Sequence, residues 1–346
     1  MPSAYEFTRE ALAEQLVGEP RYRVDQVWHG LWSEAQSIDA ITTIPKVLRS
    51  RLVEQFPSSL EVANDVHSDK GLTRKWVFRL HDGATIETVL MGYDDRVTVC
   101  VSSQAGCAMG CTFCATGQAG FTRQLSVGEV IEQVMFAARA AAPRRLTNVV
   151  FMGMGEPLAN YGVTVEVLKR LHEYRGLSAR HLTVSTVGVA PAIERLAREG
   201  LALTLAVSLH AANNETRDEL VPLNRRYPLE RLHDACRYWI DTTTRRLSFE
   251  WALIDGVNDT ERALDELARY AEPLHAHVNL IPLNPTPGYL VMGSSSARVS
   301  DFRDGLEARG VNVTVRNTRG RSIDAACGQL ASVTNAKRRS IPVRSR

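Results

Sequence analysis

Three cysteines in one loop are the residues of this chain best suited to chemistry. Cys107, Cys111 and Cys114 follow one another at C-x3-C-x2-C spacing, directly after an apolar, β-branched run at 97–101. A structural zinc site takes four protein ligands, whereas a four-iron cluster held by three cysteines keeps one iron open for another ligand. The sequence has no second cysteine pair, so a zinc site would need a distant fourth ligand such as His210. The spacing therefore favours an iron–sulfur cluster with an open iron, and zinc is the alternative.

Strands and helices are predicted to alternate from residue 97 onward, and they must position this loop. The apolar periodicity predicts strands at 97–103, 147–152, 181–187, 202–208, 246–253 and 276–282, with an additional one at 311–316. Helices are predicted between them, at 126–142, 160–175, 190–199, 228–240, 258–271 and 297–309. Such alternation indicates an α/β fold with a parallel sheet and right-handed crossovers. Six units suit a partial (βα)6 barrel, and a doubly wound open sheet is the alternative.

Polar residues follow the predicted strands at their carboxyl ends, where parallel α/β proteins bind ligands. The glycine-rich turn 153–157 follows the second strand, Ser185 the third, Ser208 and His210 the fourth, and Asn284 the sixth. Each of them alone has an ordinary structural explanation, such as a turn or a helix cap. Together with the cysteine loop they predict one ligand-binding rim.

The segment before the alternating region has a different pattern. Val24, Val27 and Leu31 recur at helical spacing, and two β-like stretches at 74–80 and 85–91 flank a turn. We interpret residues 1–92 as a small helical accessory domain with a linking hairpin. Residues 93–335 are the predicted core, and 336–346 are a basic tail that we expect to be disordered.

Composition narrows the class of protein. The chain has 346 residues, 44% of them apolar, and its net charge of +2 indicates no particular partner. It has no run of eighteen apolar residues and no apolar stretch of the signal-peptide type near its start, which predicts a cytoplasmic protein that does not enter a membrane. Six cysteines are too few for a disulfide scaffold, and four of them lie within 100–114. Metal or redox chemistry in a reducing compartment is the expectation.

The cysteine spacing, with Phe113 before the last cysteine, resembles the signature of the radical S-adenosylmethionine (SAM) superfamily. Within that superfamily, the sequence resembles the RNA adenine-C2 methyltransferases of the RlmN type. Five sequence segments carry this resemblance, at 100–107, 153–157, 208–210, 284–288 and 323–330. It covers residues 85–330 and extends weakly to the predicted helix at 22–32. The superfamily's partial barrel is similar to the fold predicted above.

This resemblance implies a role for each matching residue. Cys107, Cys111 and Cys114 would ligate a [4Fe–4S] cluster. SAM would be held by Gly155, Glu156, Ser185, Ser208, Leu209, His210 and Asn284. The cluster's open iron would chelate the methionine part of SAM.

The resemblance also implies a reaction that uses two SAM molecules per turnover. The first SAM would methylate Cys327, and the second would be cleaved reductively to a 5′-deoxyadenosyl radical that takes hydrogen from the S-methyl group. The resulting carbon radical would add to adenine C2, and Glu87 would remove the C2 proton. Cys100 would then attack the Cys327 sulfur, so that a disulfide forms as methylated RNA leaves. Cys236 matches no motif and is predicted to fill the core.

The implied substrates are an adenine in the peptidyl-transferase centre of 23S ribosomal RNA, before full ribosome assembly, and the adenine 3′ of the anticodon in transfer RNA. An electron donor such as flavodoxin or ferredoxin is implied, and the chain is expected to be a monomer. The helices of 1–92 are a candidate RNA platform, although Trp28 and Trp32 could equally form their core. Candidate phosphate contacts are Arg123, Arg144, Arg145, Arg225, Arg226, Arg245, Arg246, Arg319 and Arg321.

Two other functions remain open from the sequence. The first is methylation at adenine C8, the sister activity, which would use the same cysteines. The second is a non-catalytic, metal-stabilised RNA-binding module, which gives no role to Cys100 and Cys327.

Overall fold

A computed structural model describes residues 2–284, 286, 291–316, 320, 323–325 and 328–330. Its α-helices are α1 Arg9–Gln15, α2 Arg21–Trp28, α3 Lys46–Gln55, α4 Ala115–Ala119, α5 Val127–Ala141, α6 Tyr161–Glu173, α7 Ala190–Ala197, α8 Asn214–Leu220, α9 Leu229–Thr243, α10 Glu261–Ala271 and α11 Ser296–Ala308. Its strands are β1 Glu61–Ser68, β2 Thr73–Arg79, β3 Thr85–Gly92, β4 Val97–Cys100, β5 Gln104–Gly106, β6 Phe121–Gln124, β7 Asn148–Phe151, β8 Leu182–Thr186, β9 Thr204–Ser208, β10 Leu247–Leu253, β11 His277–Pro282 and β12 Val313–Val315.

Ten of these strands form one sheet, in the order β1-β2-β3-β4-β7-β8-β9-β10-β11-β12. Within this sheet, β4 and β7 to β12 are parallel, and β1 to β3 extend it as an antiparallel meander. Strands β5 and β6 form a separate antiparallel hairpin. The parallel strands follow chain order without the reversal that a doubly wound sheet requires. The partial barrel is therefore confirmed, and the open doubly wound sheet is wrong for this chain.

Three details of the strand prediction differ from the structure, and one of them is the short β5–β6 hairpin, for which the sequence predicts no strands. The strand predicted at 97–103 ends at Cys100, because the backbone N–H groups of Ser103 and Gln104 both turn to the carbonyl of Met154. Strand β1 was not predicted, since its residues are largely exposed and lack an apolar alternation. The predicted hairpin is formed by β2 and β3, and it continues the main sheet because β3 pairs with β4. The division of the chain into domains at residue 92 stays a prediction.

The two faces of the sheet have different characters. Trp76 and Phe78 of β2 pack edge to face against Phe136 of α5, with ring centroids 5.2 and 5.0 Å apart. Because strand residues alternate between faces, Lys75 and Val77 point the other way, toward the concave side of the sheet. The convex face is thus the apolar layer under the helices, and the concave face is left for the site.

The N-terminal helices pack on the helix layer through aromatic rings. Trp32 is fully buried and contacts Tyr5, Trp28 and Tyr174 with ring centroids 5.2–5.5 Å apart. Trp32 is therefore core, and Cys236, also fully buried, fills the core as predicted. No helix of the described residues is long and apolar enough to span a membrane.

Candidate active site

A cavity lies at the carboxyl ends of the parallel strands. Of the residues predicted to bind a cluster or SAM, those on its wall are Cys107, Cys111, Cys114, Gly155, Glu156, Ser185, Ser208, His210 and Asn284. They come from the cysteine loop and from four different strand ends. The rim predicted from separate stretches of sequence is therefore one continuous site.

The cysteine loop is closed at its base by the small β5–β6 hairpin. The backbone N–H of Cys107 donates to the carbonyl of Gly120 at 2.8 Å. A side chain at Gly106, where φ is +78°, would place its Cβ 2.0 Å from that carbonyl oxygen, so only glycine fits there. Within the loop, the N–H of Cys114 donates to the carbonyl of Cys111 at 3.2 Å. These contacts hold the three thiols on one wall of the cavity.

Burial governs the protonation of two of these thiols, Cys107 and Cys111. It raises the pKa of Cys107 to about 12 and also raises that of Cys111, and repulsion from Cys114 adds to both shifts. Among the described residues, no three His, Cys, Asp or Glu side chains are arranged around a single metal ion. In an iron–sulfur cluster the cysteines bind different irons, so three spaced thiols fit a cluster better than one zinc ion. Iron binding would also deprotonate these buried thiols and supply the positive charge they lack.

The glycine-rich turn after β7 requires glycine at two positions. A Cβ at Gly153 would lie 2.6 Å from the carbonyl oxygen of Val101, and one at Gly155 would lie 2.6 Å from the Cβ of Gln104. Gly155 also has a φ of +102°, a conformation that residues with side chains avoid. The turn therefore packs closely on the chain leaving β4 and brings its backbone to the cavity wall.

Glu156 supplies a buried carboxylate to the cavity wall. Its two side-chain oxygens accept the backbone N–H groups of Leu158 at 2.9 Å and Val187 at 2.8 Å, which fixes the carboxylate between β7 and β8. Burial raises the pKa of Glu156 to about 7, and these hydrogen bonds oppose the shift. An amine donor bound in the cavity would stabilise the charged form.

His210 is neutral and held from three sides. Its Nδ1 accepts the backbone N–H of Ala252 at 2.9 Å, which places the ring proton on Nε2. Its carbonyl accepts the side-chain amide of Asn258 at 2.7 Å, and its ring contacts Phe113 of the cysteine loop edge to face at 4.6 Å. Burial lowers the pKa of His210 to about 3, with a contribution from Arg217. The cavity therefore meets a neutral ring that can donate a hydrogen bond.

Leu209 differs from the other residues predicted to bind SAM. Its side chain is fully buried in the apolar core and does not line the cavity. Its carbonyl accepts Nε of Arg217 at 3.0 Å, and Arg217 also donates to the carbonyls of Val187 at 2.7 Å and Ser208 at 3.3 Å. Arg217 is itself buried, so this one cation joins the ends of β8 and β9. Nothing in the local sequence distinguishes it from the exposed arginines.

The residues predicted for proton and covalent chemistry are not on the described cavity wall. Glu87 and Cys100 are buried, and the strand register places both on the concave face of the sheet. Glu87 forms an ion pair with Lys75, with Nζ 3.2 Å from Oε2. Cys327 lies outside the described residues, and its neighbour Gly328 lines the cavity. Their roles therefore stay predictions.

Two charged residues of the cavity wall were not predicted. Glu250 accepts the side-chain amide of Asn279 at 2.9 Å, and its other carboxylate oxygen lies 3.7 Å from Nη1 of Arg316. Both Glu250 and Arg316 line the cavity. The sequence does contain a signal for Glu250, because its carboxylate stands between Phe249 and Trp251 in an apolar strand. Side chains alternate along a strand, so Glu250 faces the side opposite to these two rings.

The arginines predicted to meet phosphates are in different situations. Arg123 is engaged within the chain by Glu129, with two N–O distances of 2.7 and 2.8 Å. The pair at 225–226 is exposed. Two others, Arg319 and Arg321, lie outside the described residues. Arg225 and Arg226 are therefore better candidates for a phosphate contact than Arg123, whose guanidinium is already bound by Glu129.

Comparison with known proteins gives a consistent result. Residues 101–270 match the family model of the Radical SAM superfamily. The chain is 51% identical to the probable dual-specificity RNA methyltransferase RlmN of Frankia alni, over 94% of this chain and 81% of that protein. It is also 51% identical to the protein of the same name from a Parafrankia species, over 98% and 91%. The crystal structure of a radical SAM methyltransferase from Sphaerobacter thermophilus is 50% identical, with a TM-score of 0.92 over 95% of this chain and 99% of that one.

Proposed function

The chain belongs to the RlmN family of radical SAM RNA methyltransferases, and from that premise we propose that it methylates C2 of one adenine in the peptidyl-transferase centre of 23S ribosomal RNA and of the adenine 3′ of the anticodon in transfer RNA. The enzyme uses a [4Fe–4S] cluster and SAM. The observation that carries the proposal is the cavity on which three cysteines, a buried carboxylate and a neutral histidine meet.

The chain's own residues have distinct tasks in binding these cofactors. Cys107, Cys111 and Cys114 hold the cluster, which, once loaded, supplies the electron that cleaves SAM to a 5′-deoxyadenosyl radical. Glu156 would accept a hydrogen bond from the SAM amine at its carboxylate on the cavity wall, and Gly155 would contribute the backbone of the same turn. The other residues proposed to hold SAM are Ser185, Ser208, Leu209, His210 and Asn284. The side chain of Leu209 is in the core, so its proposed part is to place its neighbours Ser208 and His210 on the cavity wall.

Adenine C2 is an electron-poor carbon with no lone pair, so a sulfonium methyl cannot be transferred to it by ordinary nucleophilic attack. Cys327 serves instead as the methyl carrier, since a thiolate is a good nucleophile toward SAM. Glu87 takes the C2 proton at its carboxylate. Once the adduct has lost one electron and the C2 proton, Cys100 attacks the Cys327 sulfur and the bond from that sulfur to the transferred carbon breaks. The carbon takes up a proton to become the methyl group, and Cys100 and Cys327 are left as a disulfide. The shared concave face of Glu87 and Cys100 supports this assignment.

RNA is the substrate class, and we propose the finer points of its recognition. Residues 1–92 form the RNA platform, 93–335 the radical SAM core and 336–346 a basic tail. Exposed Tyr22, with the guanidinium of Arg23 4.8 Å from its ring centroid, offers an aromatic and a cationic surface on the platform. The enzyme acts as a cytoplasmic monomer on ribosomal RNA before full assembly, and flavodoxin or ferredoxin supplies its electrons. The target base must leave its stack to reach the cavity.

Methylation at adenine C8 is the competing function, and the names of the relatives do not favour it. Mass spectrometry of ribosomal and transfer RNA from a strain lacking this chain, with 2-methyladenosine and 8-methyladenosine standards, separates the two. We expect 2-methyladenosine to disappear from both RNA classes and to return with the intact gene. A C327A gene that restored 2-methyladenosine would contradict the proposed mechanism.

A further inference from the structure

The ammonium group of Lys75 joins two parts of the molecule that the proposed reaction uses. Its Nζ lies 3.2 Å from Oε2 of Glu87 and donates a hydrogen bond to the carbonyl of Asp324 at 3.0 Å. Asp324 stands three residues before Cys327 in the chain. We propose that Lys75 is a positioning residue, which keeps Glu87 ionised and fixes it relative to the segment that carries the methyl. This inference rests on the function proposed above.

Burial makes the charge of Lys75 necessary. The side chain of Glu87 has 0% of its surface exposed, and that of Lys75 has 8%. A carboxylate so deeply buried would take up a proton if no cation stood beside it, because desolvation penalises the charged form. Protonated Glu87 could not accept the C2 proton. The neighbouring ammonium group therefore favours the ionised form of Glu87, which is the form that can accept a proton.

The strand register brings the reacting groups to one face. Lys75 pairs with Val89, and Val77 pairs with Glu87, so the lysine and the carboxylate are diagonal neighbours on adjacent strands. Val89 in turn pairs with Cys100 on the next strand. The proposed base, its cation and the second redox cysteine thus lie on three consecutive strands of the concave face.

The chain around Cys327 is held on both sides of that residue. Before it, the carboxylate of Asp69 accepts the backbone N–H of Gly320 at 3.1 Å, next to the contact between Lys75 and Asp324. After it, the carbonyl of Gly328 accepts the backbone N–H of Ala115 at 2.8 Å, at the start of α4 beside the cysteine loop. Lys75 therefore belongs to a set of contacts that spans from the antiparallel strands to the cluster loop.

The test uses the anaerobically reconstituted enzyme with 23S ribosomal RNA transcribed in vitro, carrying hydrogen or deuterium at adenine C2. Lys75→Met removes the cation, Glu87→Gln removes the base, and Lys169→Met removes the cation of the half-exposed Lys169–Glu199 ion pair of α6, outside the proposed RNA platform, as the matched control. Mass spectrometry measures methylation of Cys327, and denaturing gels measure RNA that is still attached to Cys327 through the transferred carbon.

We expect all three variants to methylate Cys327 as the unaltered enzyme does. K75M and E87Q should release the attached RNA at least ~100-fold more slowly, the usual scale for losing a general base. Because proton removal then limits release, the deuterium isotope effect at C2 should rise in both variants. K169M should match the unaltered enzyme in every measurement.

Release by K75M at the normal rate would overturn the inference, and so would slow release without a larger isotope effect, which is the mark of a merely structural defect. Failure of the unaltered enzyme to form S-methylcysteine or 2-methyladenosine would overturn the proposed function instead. Lys75→Arg keeps the cation and should regain at least ~10-fold of the lost rate. If K75M does not retain iron, Lys75→Gln, which keeps a donor for Asp324 without the charge, carries the same test.

Discussion

Replacement of Gly155 by alanine should damage both folding and cofactor binding. The new Cβ would lie 2.6 Å from the Cβ and 2.8 Å from the backbone nitrogen of Gln104, and the residue would have to keep a φ of +102°. The side chain of Gln104 accepts the backbone N–H of Glu156 at 2.8 Å, so a shift of Gln104 moves the carboxylate proposed to bind the SAM amine.

The expected loss of stability has two contributions, the strained backbone at residue 155 and the close contact with Gln104. A residue with a side chain in such a backbone conformation costs about 1–3 kcal/mol. Overpacking against a backbone that must move costs about another 1–3 kcal/mol. We therefore expect G155A to lose about 2–6 kcal/mol of the free energy of unfolding. Its affinity for SAM should fall by at least ~10-fold, equivalent to about 1.4 kcal/mol.

Chemical unfolding and calorimetric titration with SAM measure these effects. Gly162→Ala is the matched control, because Gly162 lies in α6 and a Cβ added there would meet no atom within 4 Å. Alanine is the better helix former, so this control should be stabilised by up to about 1 kcal/mol and bind SAM normally. The reasoning is refuted if G155A unfolds within ~0.5 kcal/mol of the unaltered protein, which is the range of an ordinary surface change, and also keeps its SAM affinity.

Three further predictions address other parts of the site. C114A should lose the visible absorption and most of the iron of the cluster, whereas C236A, at a fully buried core position, should keep both; equal iron contents would contradict the assignment of ligands. R217M should weaken SAM binding at least ~10-fold in calorimetry, since three strand-end carbonyls lose a charged donor. The pKa of His210 falls from 6.5 to about 3 on folding, so its contribution to stability is complete above pH 6.5 and decreases as the pH falls toward 3. Between pH 7 and pH 5, the free energy of unfolding should therefore fall by about 2 kcal/mol more in the unaltered protein than in H210Q. An identical dependence on pH for the two proteins in urea unfolding would argue against a buried neutral ring.

Much of the fold could be predicted because its signals are local. The six strand–helix units and the short strand β12 follow from periodicity, since each apolar strand and amphipathic helix covers its own part of the core. Strand β1 could not be predicted this way. Its residues are exposed, and it is a strand because β2 offers it a hydrogen-bonding edge.

The cysteine loop and the strand-end residues could also be predicted from the sequence. Cys107, Cys111 and Cys114 are close in the chain, and the parallel topology brings the carboxyl ends of successive strands together whatever their exact packing. The burial of the Leu209 side chain away from the cavity has a local cause as well. The motif covers three consecutive residues, 208–210. Side chains of an extended chain point to alternate sides, so the middle one is buried in the core.

How the charged groups are held could be seen only in the folded chain. Lys75 and Asp324 are 249 positions apart, and Arg217, in the crossover that follows β9, reaches the carbonyl of Val187 after β8. No periodicity or spacing encodes such pairs, because each partner is ordinary in its own stretch of chain. Their energies arise only when folding brings the two partners together and removes both from water. The kind of chemistry can thus be inferred from residue types and spacing alone, whereas the way its charges are held depends on the packing of distant segments.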